Sequence, residues 1–246
     1  LDTYTLLEET VVVGARNLAI SDNNLFVSRG DYDPNTFGPM LFDSYLHVYD
    51  KNNLTLITEF DTITGPKWTT QNMITDDNML YVAINNGFEW GNEKGLVGVI
   101  DVSTMNYITE IDLGPDGKNP DNMMKNGDVI YTINNKDWSG MSISEIDINT
   151  GVGVTFNMPT ASTGCGTSCL RDGKVNYQIS GDTQLYEWDG TSSISINNTA
   201  NFYGISTDSI NNYLYASSTD WFSYGEIFIY DNNNMLVNSF TCGISP

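Results

Sequence analysis

The single histidine of the sequence, His47, is the first candidate for catalysis by nucleophilic attack or proton transfer, and it stands in the apolar run "LHVYD". Such chemistry needs a nucleophile, a base and a group that orients the base. No serine or cysteine pattern of this kind accompanies His47, and a lone histidine inside a strand is mostly structural. We therefore predict that the protein is not an enzyme.

Cysteine is the other residue type that could do chemistry. Cys165 and Cys169 lie four residues apart in "STGCGTSCL", and Cys242 stands near the end of the sequence. We predict a short disulfide between Cys165 and Cys169, provided that their Cα atoms come within ~4.4–6.8 Å; two unpaired thiols are the alternative. A metal site is disfavoured because no second histidine or cysteine cluster exists. The disulfide would indicate an oxidising, extracytoplasmic compartment.

The charge balance limits the partners. With 31 acidic and 10 basic side chains among 246 residues, the formal net charge is −21. Such a surface repels phosphate, which excludes nucleic acid as a partner. No apolar run approaches the ~20 residues needed to cross a bilayer, so we predict no membrane-spanning segment. The stretch "DLGPDGKNPDN" (112–122) offers oxygen donors without EF-hand spacing. We predict no cofactor, with Ca²⁺ at this loop as the alternative.

The elements that would position any functional residue follow from an internal repeat. Five stretches each show a short apolar strand, a turn of Asp, Asn or Gly, and a second strand with alternating polarity. They are "NLAISDNNLFVS" (17–28), "NMITDDNMLYVA" (72–83), "NMMKNGDVIYTI" (122–133), "SCLRDGKVNYQI" (168–179) and "GISTDSINNYLYAS" (204–217). Charged residues make up 17%, below the roughly 25% of typical domains, and polar turn-forming residues replace them.

A third strand follows each pair and ends in aspartate, and a fourth apolar strand comes next. The aspartates are separated by 51, 46, 42 and 42 residues: Asp50, Asp101, Asp147, Asp189 and Asp231. Four strands in about 40–50 residues is the period of a propeller blade. We therefore predict an all-β protein, a β-propeller of four-stranded antiparallel blades, with 1–246 as a single domain. The aspartates are interpreted as turn residues that accept hydrogen bonds from the backbone.

Closure of the ring is the open point. "YTLLEETVVV" (4–13) resembles a fourth strand without its first three, and "TCGISP" (241–246) resembles the start of a sixth blade. Five blades are visible, together with an incomplete closing blade. The chain is then either a portion of a six- or seven-bladed protein or a small ring with irregular closure.

Small polar residues mark the start of each first strand. They are Asn17, Asn72, Asn122, Ser168 and Gly204. The first strand is the innermost, so these residues either satisfy backbone groups or line a channel along the axis.

One rim of the predicted propeller concentrates large aromatic side chains. Loops between second and third strands share this rim with the connections between blades, whereas the opposite rim consists of tight polar turns. The candidate partner-binding residues are Trp68, Phe88, Trp90, Trp138, Trp221, Phe222, Tyr224, Lys67, Lys94 and Lys136. Rigid aromatic rings with mixed charge suit a recognition surface. The alternative is that the rings only plug the loops against the blade ends.

The blade pattern "LYVAINN…GLVGVIDVSTMNYITEIDLG" resembles the YVTN/surface-layer type of β-propeller repeat. The ending "YGISTDSINNYLYASSTDWFSYGEIFIYDNNNMLVNSFTCGISP" is similar to the last blades of an uncharacterised propeller family of Bacteroidota envelope proteins. The resemblance implies export, as a surface lipoprotein or a component of a larger envelope assembly, and it implies no catalytic residues.

The predicted function is a non-enzymatic binding or scaffold module that takes part in protein–protein interaction in a cell-surface or outer-membrane assembly. A fold alone does not define a function. A propeller that binds a glycan or small ligand through the same aromatic residues is one alternative. A metal-dependent lactonase- or lyase-type propeller enzyme is another, which His47 on a third strand fits badly.

Overall fold

The computed structural model describes residues 13–158 and 166–244, and these residues form strands, turns and loops without a helix. Twenty strands build five four-stranded antiparallel sheets, each following chain order from the inside outwards. The predicted all-β propeller of four-stranded blades is confirmed. No helix long and apolar enough to cross a membrane occurs in the described part of the chain.

The first three blades coincide with the first three sequence repeats. Blade 1 contains β1 (Ala15–Ser21), β2 (Asn24–Arg29), β3 (Ser44–Asp50) and β4 (Leu56–Asp61). Blade 2 contains β5 (Thr70–Asp76), β6 (Met79–Ile84), β7 (Leu96–Asp101) and β8 (Asn106–Asp112). Blade 3 contains β9 (Pro120–Asn126), β10 (Val129–Asn134), β11 (Ser142–Asp147) and β12 (Val152–Asn157).

The last two blades follow the same plan. Blade 4 contains β13 (Ser168–Arg171), β14 (Lys174–Gln178), β15 (Gln184–Trp188) and β16 (Ser193–Asn198). Blade 5 contains β17 (Gly204–Asp208), β18 (Tyr213–Ser218), β19 (Glu226–Tyr230) and β20 (Leu236–Thr241). The innermost strands pack against one another in the series β1, β5, β9, β13 and β17.

Apolar side chains fill the spaces between blades. Between blades 1 and 2, for example, Leu46, Leu80 and Ile100 are fully buried in one cluster. Burying such a side chain contributes about 1.5–3 kcal/mol relative to leaving it exposed. On the outer faces of the terminal blades, Leu18 of β1 and Phe240 of β20 remain at least half exposed.

The recurring aspartates are turn residues, as predicted. One carboxylate oxygen of each accepts backbone N–H groups two or more positions further along the chain. In blade 4, these N–H groups and the Thr191 hydroxyl lower the pKa of Asp189 to about 2. The turns that join third and fourth strands are thereby fixed by charge-assisted hydrogen bonds.

The described part of 241–246, residues 241–244, does not open a sixth blade as predicted. Thr241 is the last residue of β20, where it pairs with Glu226, and the Cys242 N–H donates to the Gly225 carbonyl at 3.0 Å. These residues prolong the outer strand of blade 5, because they continue its ladder and do not open a new hairpin. Most of the predicted strand at 4–13 lies outside the described residues, and that prediction stays untested.

The predicted disulfide also involves an undescribed residue, Cys165. Cys169 lies in β13 with its side chain buried beside Leu185 and Leu214, and it has no disulfide partner within the described ranges. Burial raises the pKa of the Cys169 thiol to about 12, so the thiolate does not form at neutral pH.

Candidate functional site

The aromatic rim is the edge of the propeller that carries the second-to-third-strand loops 30–43, 85–95, 135–141, 179–183 and 219–225 together with the connections between blades. In each antiparallel blade these two kinds of connection lie at the same end of the sheet. The first strands begin at this end, so the rim surrounds the mouth of the central space.

Four of the seven aromatic candidates on the rim are open to solvent. The exposed fraction is 71% for Trp90, 57% for Trp221, 89% for Phe222 and 74% for Tyr224. A side chain with this exposure contributes little to the core, so these residues do not plug the blade ends. They form the part of the rim that is available to a partner.

Three other candidates are half-buried, as the plug interpretation predicts. The Lys94 ammonium lies 5.0 Å from the centre of the Trp68 ring, and the Arg16 guanidinium lies 5.3 Å from the centre of the Phe88 ring. Each cation covers part of an aromatic surface, an arrangement worth about 0.5–1 kcal/mol at exposed sites. The third half-buried residue, Trp138, extends toward the central space.

The candidate lysines differ in their availability. Lys67 is exposed, and Lys94 is held over Trp68. The Lys136 ammonium forms an ion pair with Asp116 at 3.2 Å and donates a hydrogen bond to Asn157 at 2.8 Å. Two of the three candidate lysines therefore have a neighbour within the rim itself.

The rim aromatics also contact each other in two groups. Tyr32 stacks on Phe37 with ring centres 6.2 Å apart and lies 5.8 Å from Phe88, which gives one group over blades 1 and 2. Tyr203 meets Trp221 edge to face at 4.9 Å, which gives the second group at blade 5. Such pairs hold large rings in fixed orientations before any partner arrives.

Trp138 and Trp221 occupy the same kind of turn in blades 3 and 5. Both follow an aspartate, and both have positive φ angles, 67° and 69°. The left-handed region is strained for a bulky residue and is often found at functional sites. The paired "DW" in equivalent loops is the sequence signal that could have singled out these two tryptophans.

An acidic side chain fixes the turn in blade 5. One oxygen of Asp220 accepts the backbone N–H groups of Phe222 at 2.9 Å and Ser223 at 2.7 Å. These bonds, the Ser223 N–H first, lower the pKa of Asp220 to about 2. The carboxylate therefore stays ionised at neutral pH and orders the loop that presents Trp221 and Phe222.

Sequence reasoning missed three polar residues at the mouth of the central space: Arg16, Gln71 and Asp121. They line one cavity, although they come from three different blades. In β1, β5 and β9 the pairing with the second strand contains one extra residue near the strand start, whereas β13 and β17 pair regularly. Bulges of this kind redirect side chains.

The missed residues directly precede the small polar residues that the sequence singled out. Because side chains alternate along a regular strand, a bulge changes which of two neighbours faces the axis. The signal was present as "RN", "QN" and "DN" near the start of three of the five first strands, but its meaning depends on the bulge.

His47 is a structural residue, as its position in a strand suggests. It is buried in β3, with its Nε2 atom 2.8 Å from Arg29 Nη1 and its Nδ1 atom 3.1 Å from the Tyr49 hydroxyl. Burial and the Arg29 charge lower the pKa of His47. The neutral imidazole therefore acts as a link between two side chains of blade 1.

A search of residues 13–158 and 166–244 for metal sites finds no group of three or more His, Cys, Asp or Glu side chains arranged around a point. In the loop 112–122, Asp112 accepts the Gly114 N–H and Asp121 accepts the Asn122 N–H. The absence of a cofactor stays a prediction, with Ca²⁺ at this loop as the alternative.

Comparison with solved structures supports the architecture. Dihydro-heme d1 dehydrogenase NirN in complex with DHE is similar over 94% of this chain and 48% of that chain, with 13% identity and a TM-score of 0.62. A chain of the mitotic checkpoint complex is similar over 98% of this chain and 72% of that chain, with 13% identity and a TM-score of 0.61. Both are propellers, and this chain spans about half the length of NirN.

These likenesses define the class of fold, a β-propeller, and at 13% identity they show the fold alone. No protein-family model and no curated protein matches the sequence.

Proposed function

We propose that the protein is a non-enzymatic binding module that captures a protein partner on the aromatic rim. The observation that carries this proposal is the exposure of Trp90, Phe222 and Tyr224, each more than two thirds open to solvent. Large aromatic side chains dominate the binding energy of protein interfaces, because they bring much contact area with few rotatable bonds. Exposed groups of such rings are unusual on a surface that binds nothing.

The charge of the chain indicates the chemistry of the partner. The net charge is −21, and two of the three candidate rim lysines already have neighbours within the rim. A partner with apolar side chains at its centre and basic residues around them would complement this surface. Complementary charge raises the association rate more than the affinity, so binding should be faster at low salt.

The absence of enzymatic activity is part of the proposal. The chain's single histidine, His47, is 5% exposed, and its ring nitrogens contact Arg29, Tyr49 and Glu59, an arrangement that disfavours a role as a general base. The thiol of Cys169 is buried and protonated at neutral pH.

The proposed setting is extracytoplasmic, in a surface or outer-membrane assembly, with 1–246 as one propeller domain. The support for this setting is the resemblance of the repeats to YVTN/surface-layer and Bacteroidota envelope propellers. Protease treatment of intact cells that express the native protein tests it. Digestion without lysis is expected, whereas protection until lysis contradicts surface exposure.

The rim is tested with a triple variant, Trp90→Ser, Phe222→Ser and Tyr224→Ser. A matched control variant, Ile210→Ser and Met235→Ser, removes exposed apolar side chains from the turns of the opposite rim. The wild type and both variants are used to capture proteins from an extract of the native envelope, and the captured proteins are quantified by mass spectrometry.

We expect one or a few proteins to be retained by the wild type and the control and lost with the triple variant. Purified candidates are then titrated against all three proteins. Equal affinity of the partner for the wild type and the triple variant would contradict the proposal. Thermal unfolding of the three proteins shows whether a loss of capture reflects a loss of folding.

A further inference from the structure

Two adjoining cavities open where the first strands begin, inside the aromatic rim. The smaller cavity has a volume of about 220 Å³ and is lined by Arg16 and Asp121, among others. At ~30 Å³ for each water molecule it would hold roughly seven waters. The larger cavity has a volume of about 900 Å³ and is lined by Ser168 and Trp221, among others. Gly166 lines both cavities, so they are neighbours.

The polar groups of the smaller cavity retain unused hydrogen-bonding capacity. Arg16 donates from Nε to Gln71 at 2.8 Å and from Nη1 to the Gly30 carbonyl at 3.5 Å, which uses two of its five N–H groups. One oxygen of Asp121 accepts the Asn122 N–H at 2.9 Å, and no residue of the described part of the chain donates to the other. Arg16 and Asp121 do not form a direct ion pair within the described ranges.

Trp138 lines the smaller cavity and Ser168 lines the larger one. The indole Nε1 of Trp138 and the hydroxyl oxygen of Ser168 have no hydrogen-bond partner among residues 13–158 and 166–244. Both atoms are themselves buried, so a molecule bound in the cavities does not reach them in this structure.

We infer that the two cavities bind a neutral carbohydrate, with one sugar ring in the smaller cavity and the chain continuing into the larger one. Hydroxyl groups both donate and accept hydrogen bonds, which matches the donors Arg16 and Gln71 and the acceptor Asp121.

Aromatic surface accompanies the polar groups in both cavities. Phe88 and Trp138 line the smaller cavity, and the Tyr203–Trp221 pair lines the larger one. The C–H face of a sugar ring packs well against an aromatic side chain, while its hydroxyl groups reach polar atoms at the edge. The positive φ of both tryptophans is consistent with loops shaped for a ligand.

Charge favours a neutral ligand over an ionic one. Burial lowers the pKa of Arg16, and the nearby Asp121 and Asp31 raise it again. The residue as a whole is exposed, so we take it as a cation at neutral pH. An acidic sugar would meet Asp121, Asp31 and a net charge of −21, and a cation would meet the Arg16 guanidinium. A neutral sugar encounters neither repulsion.

The site is tested by calorimetric titration of the whole chain with neutral gluco-, manno- and xylo-oligosaccharides of increasing length. A uronic-acid oligosaccharide and free amino acids serve as comparison ligands. Trp138→Phe removes the indole N–H together with part of the aromatic surface, and Asp121→Asn replaces one carboxylate oxygen by an N–H donor while keeping the shape of the side chain. Tyr215→Phe is the control, because Tyr215 is 38% exposed on β18 and does not line either cavity.

We expect at least one neutral series to bind, with an affinity about tenfold lower for Trp138→Phe and for Asp121→Asn and unchanged for Tyr215→Phe. Tyr203→Ala should weaken only the longer oligosaccharides, because Tyr203 lines the larger cavity and not the smaller one. Thermal unfolding of each variant confirms that it is folded.

Three results would overturn the inference: no binding of any neutral series, binding of acidic or zwitterionic ligands alone, or equal affinity for Trp138→Phe, Asp121→Asn and the wild type. The residues tested are separate from Trp90, Phe222 and Tyr224. Failure of the sugar site and failure of the protein-binding rim are therefore distinguishable.

Discussion

Nη1 of Arg29 lies 2.8 Å from Nε2 of His47, so the guanidinium donates a hydrogen bond to the imidazole. Nε2 is then the accepting nitrogen, and the ring proton belongs on Nδ1, which lies 3.1 Å from the Tyr49 hydroxyl. Protonation of the ring would remove the acceptor and place a second positive charge beside Arg29. Glu59 Oε2 lies 3.4 Å from Nε2 and favours the protonated ring, but burial and the Arg29 charge outweigh it, so the fold favours neutral His47.

This preference predicts a pH dependence of stability. The pKa of His47 is lowered by burial and by Arg29, whereas the unfolded chain has a pKa near 6.5. As the pH falls below about 6.5, the unfolded state binds the proton first, so the free energy of unfolding decreases. The decrease is at most about 1.4 kcal/mol per pH unit and ends once the pH is below the folded-state pKa.

Urea titrations of the wild type and of His47→Gln between pH 7.5 and 5 measure this effect. Glutamine can still accept from Arg29 but does not titrate, so the difference between the two curves isolates the histidine from the many carboxylates. The wild type should lose stability relative to the variant as the pH falls. Parallel curves over this range would show that His47 is not held neutral.

A side-chain hydrogen bond joins blades 3 and 4: the indole N–H of Trp188 donates to Glu145 at 2.8 Å. Trp188 is buried in β15 of blade 4, and Glu145 belongs to β11 of blade 3. Trp188→Phe should lower the free energy of unfolding by about 1–3 kcal/mol, because it removes a charge-assisted hydrogen bond and leaves a half-buried carboxylate without it.

Chemical denaturation of Trp188→Phe measures this loss, and Trp90→Phe serves as the control. Trp90 is exposed, so its variant should unfold within about 0.5 kcal/mol of the wild type. If both variants were equally stable, the contact with Glu145 would not contribute to the packing of the two blades.

Most of the fold could be predicted because it depends on interactions between residues that are close in sequence. The hairpin turns and the aspartate turns are defined by residues a few positions apart, and the repeat presented the same solution five times. Asp50 and Asp189 therefore had their predicted role. The end of blade 5 was mispredicted because the strand beginning at Leu236 extends to Thr241, and the length of a ladder is set by its partner strand.

The candidate site was less predictable, because it depends on contacts between blades. Trp138 and Trp221 share the local "DW" signal, yet Trp221 is exposed whereas Trp138 reaches the central space. Arg16 and Asp121 lie about one hundred residues apart, and they line one cavity only because β1 and β9 carry bulges at corresponding positions. The alternation of polar and apolar residues along a strand does not reveal such an extra residue.

Asn176 is a polar residue at a buried position of a strand, where an apolar residue would be expected. Its side chain is buried in β14, opposite Cys169 of β13, and neither its amide nitrogen nor its amide oxygen has a partner in the described part of the chain. Replacing both atoms by apolar groups of similar shape removes their desolvation cost. We expect Asn176→Leu to raise the free energy of unfolding by about 1–3 kcal/mol.

Thermal and urea unfolding of Asn176→Leu provide the measurement, with Asn238→Leu on the exposed outer strand β20 as the control for added hydrophobicity. A gain for Asn176→Leu alone supports the argument. A large loss would mean that the amide makes an essential contact, for example with bound water.

The turn around Asp220 links stability to the aromatic rim. The carboxylate accepts the Phe222 and Ser223 N–H groups, and its pKa is lowered to about 2. Because the folded-state pKa lies below the unfolded value near 3.9, the stabilisation is fully present above about pH 4 and is lost as the pH falls toward 2. At neutral pH, Asp220→Ala removes the acceptor for both amides.

Hydrogen–deuterium exchange of the loop 219–225 measures the result: the Phe222 and Ser223 amides should exchange faster in Asp220→Ala, while the strands of blade 5 keep their protection. Asp137→Ala is the matched control, because Asp137 accepts the Ser139 N–H in the equivalent turn of blade 3 and should affect only that loop. If the rim captures a partner through Phe222, Asp220→Ala should weaken capture although Phe222 itself is unchanged. Unaltered exchange at Phe222 and Ser223 would mean that the carboxylate does not order this part of the rim.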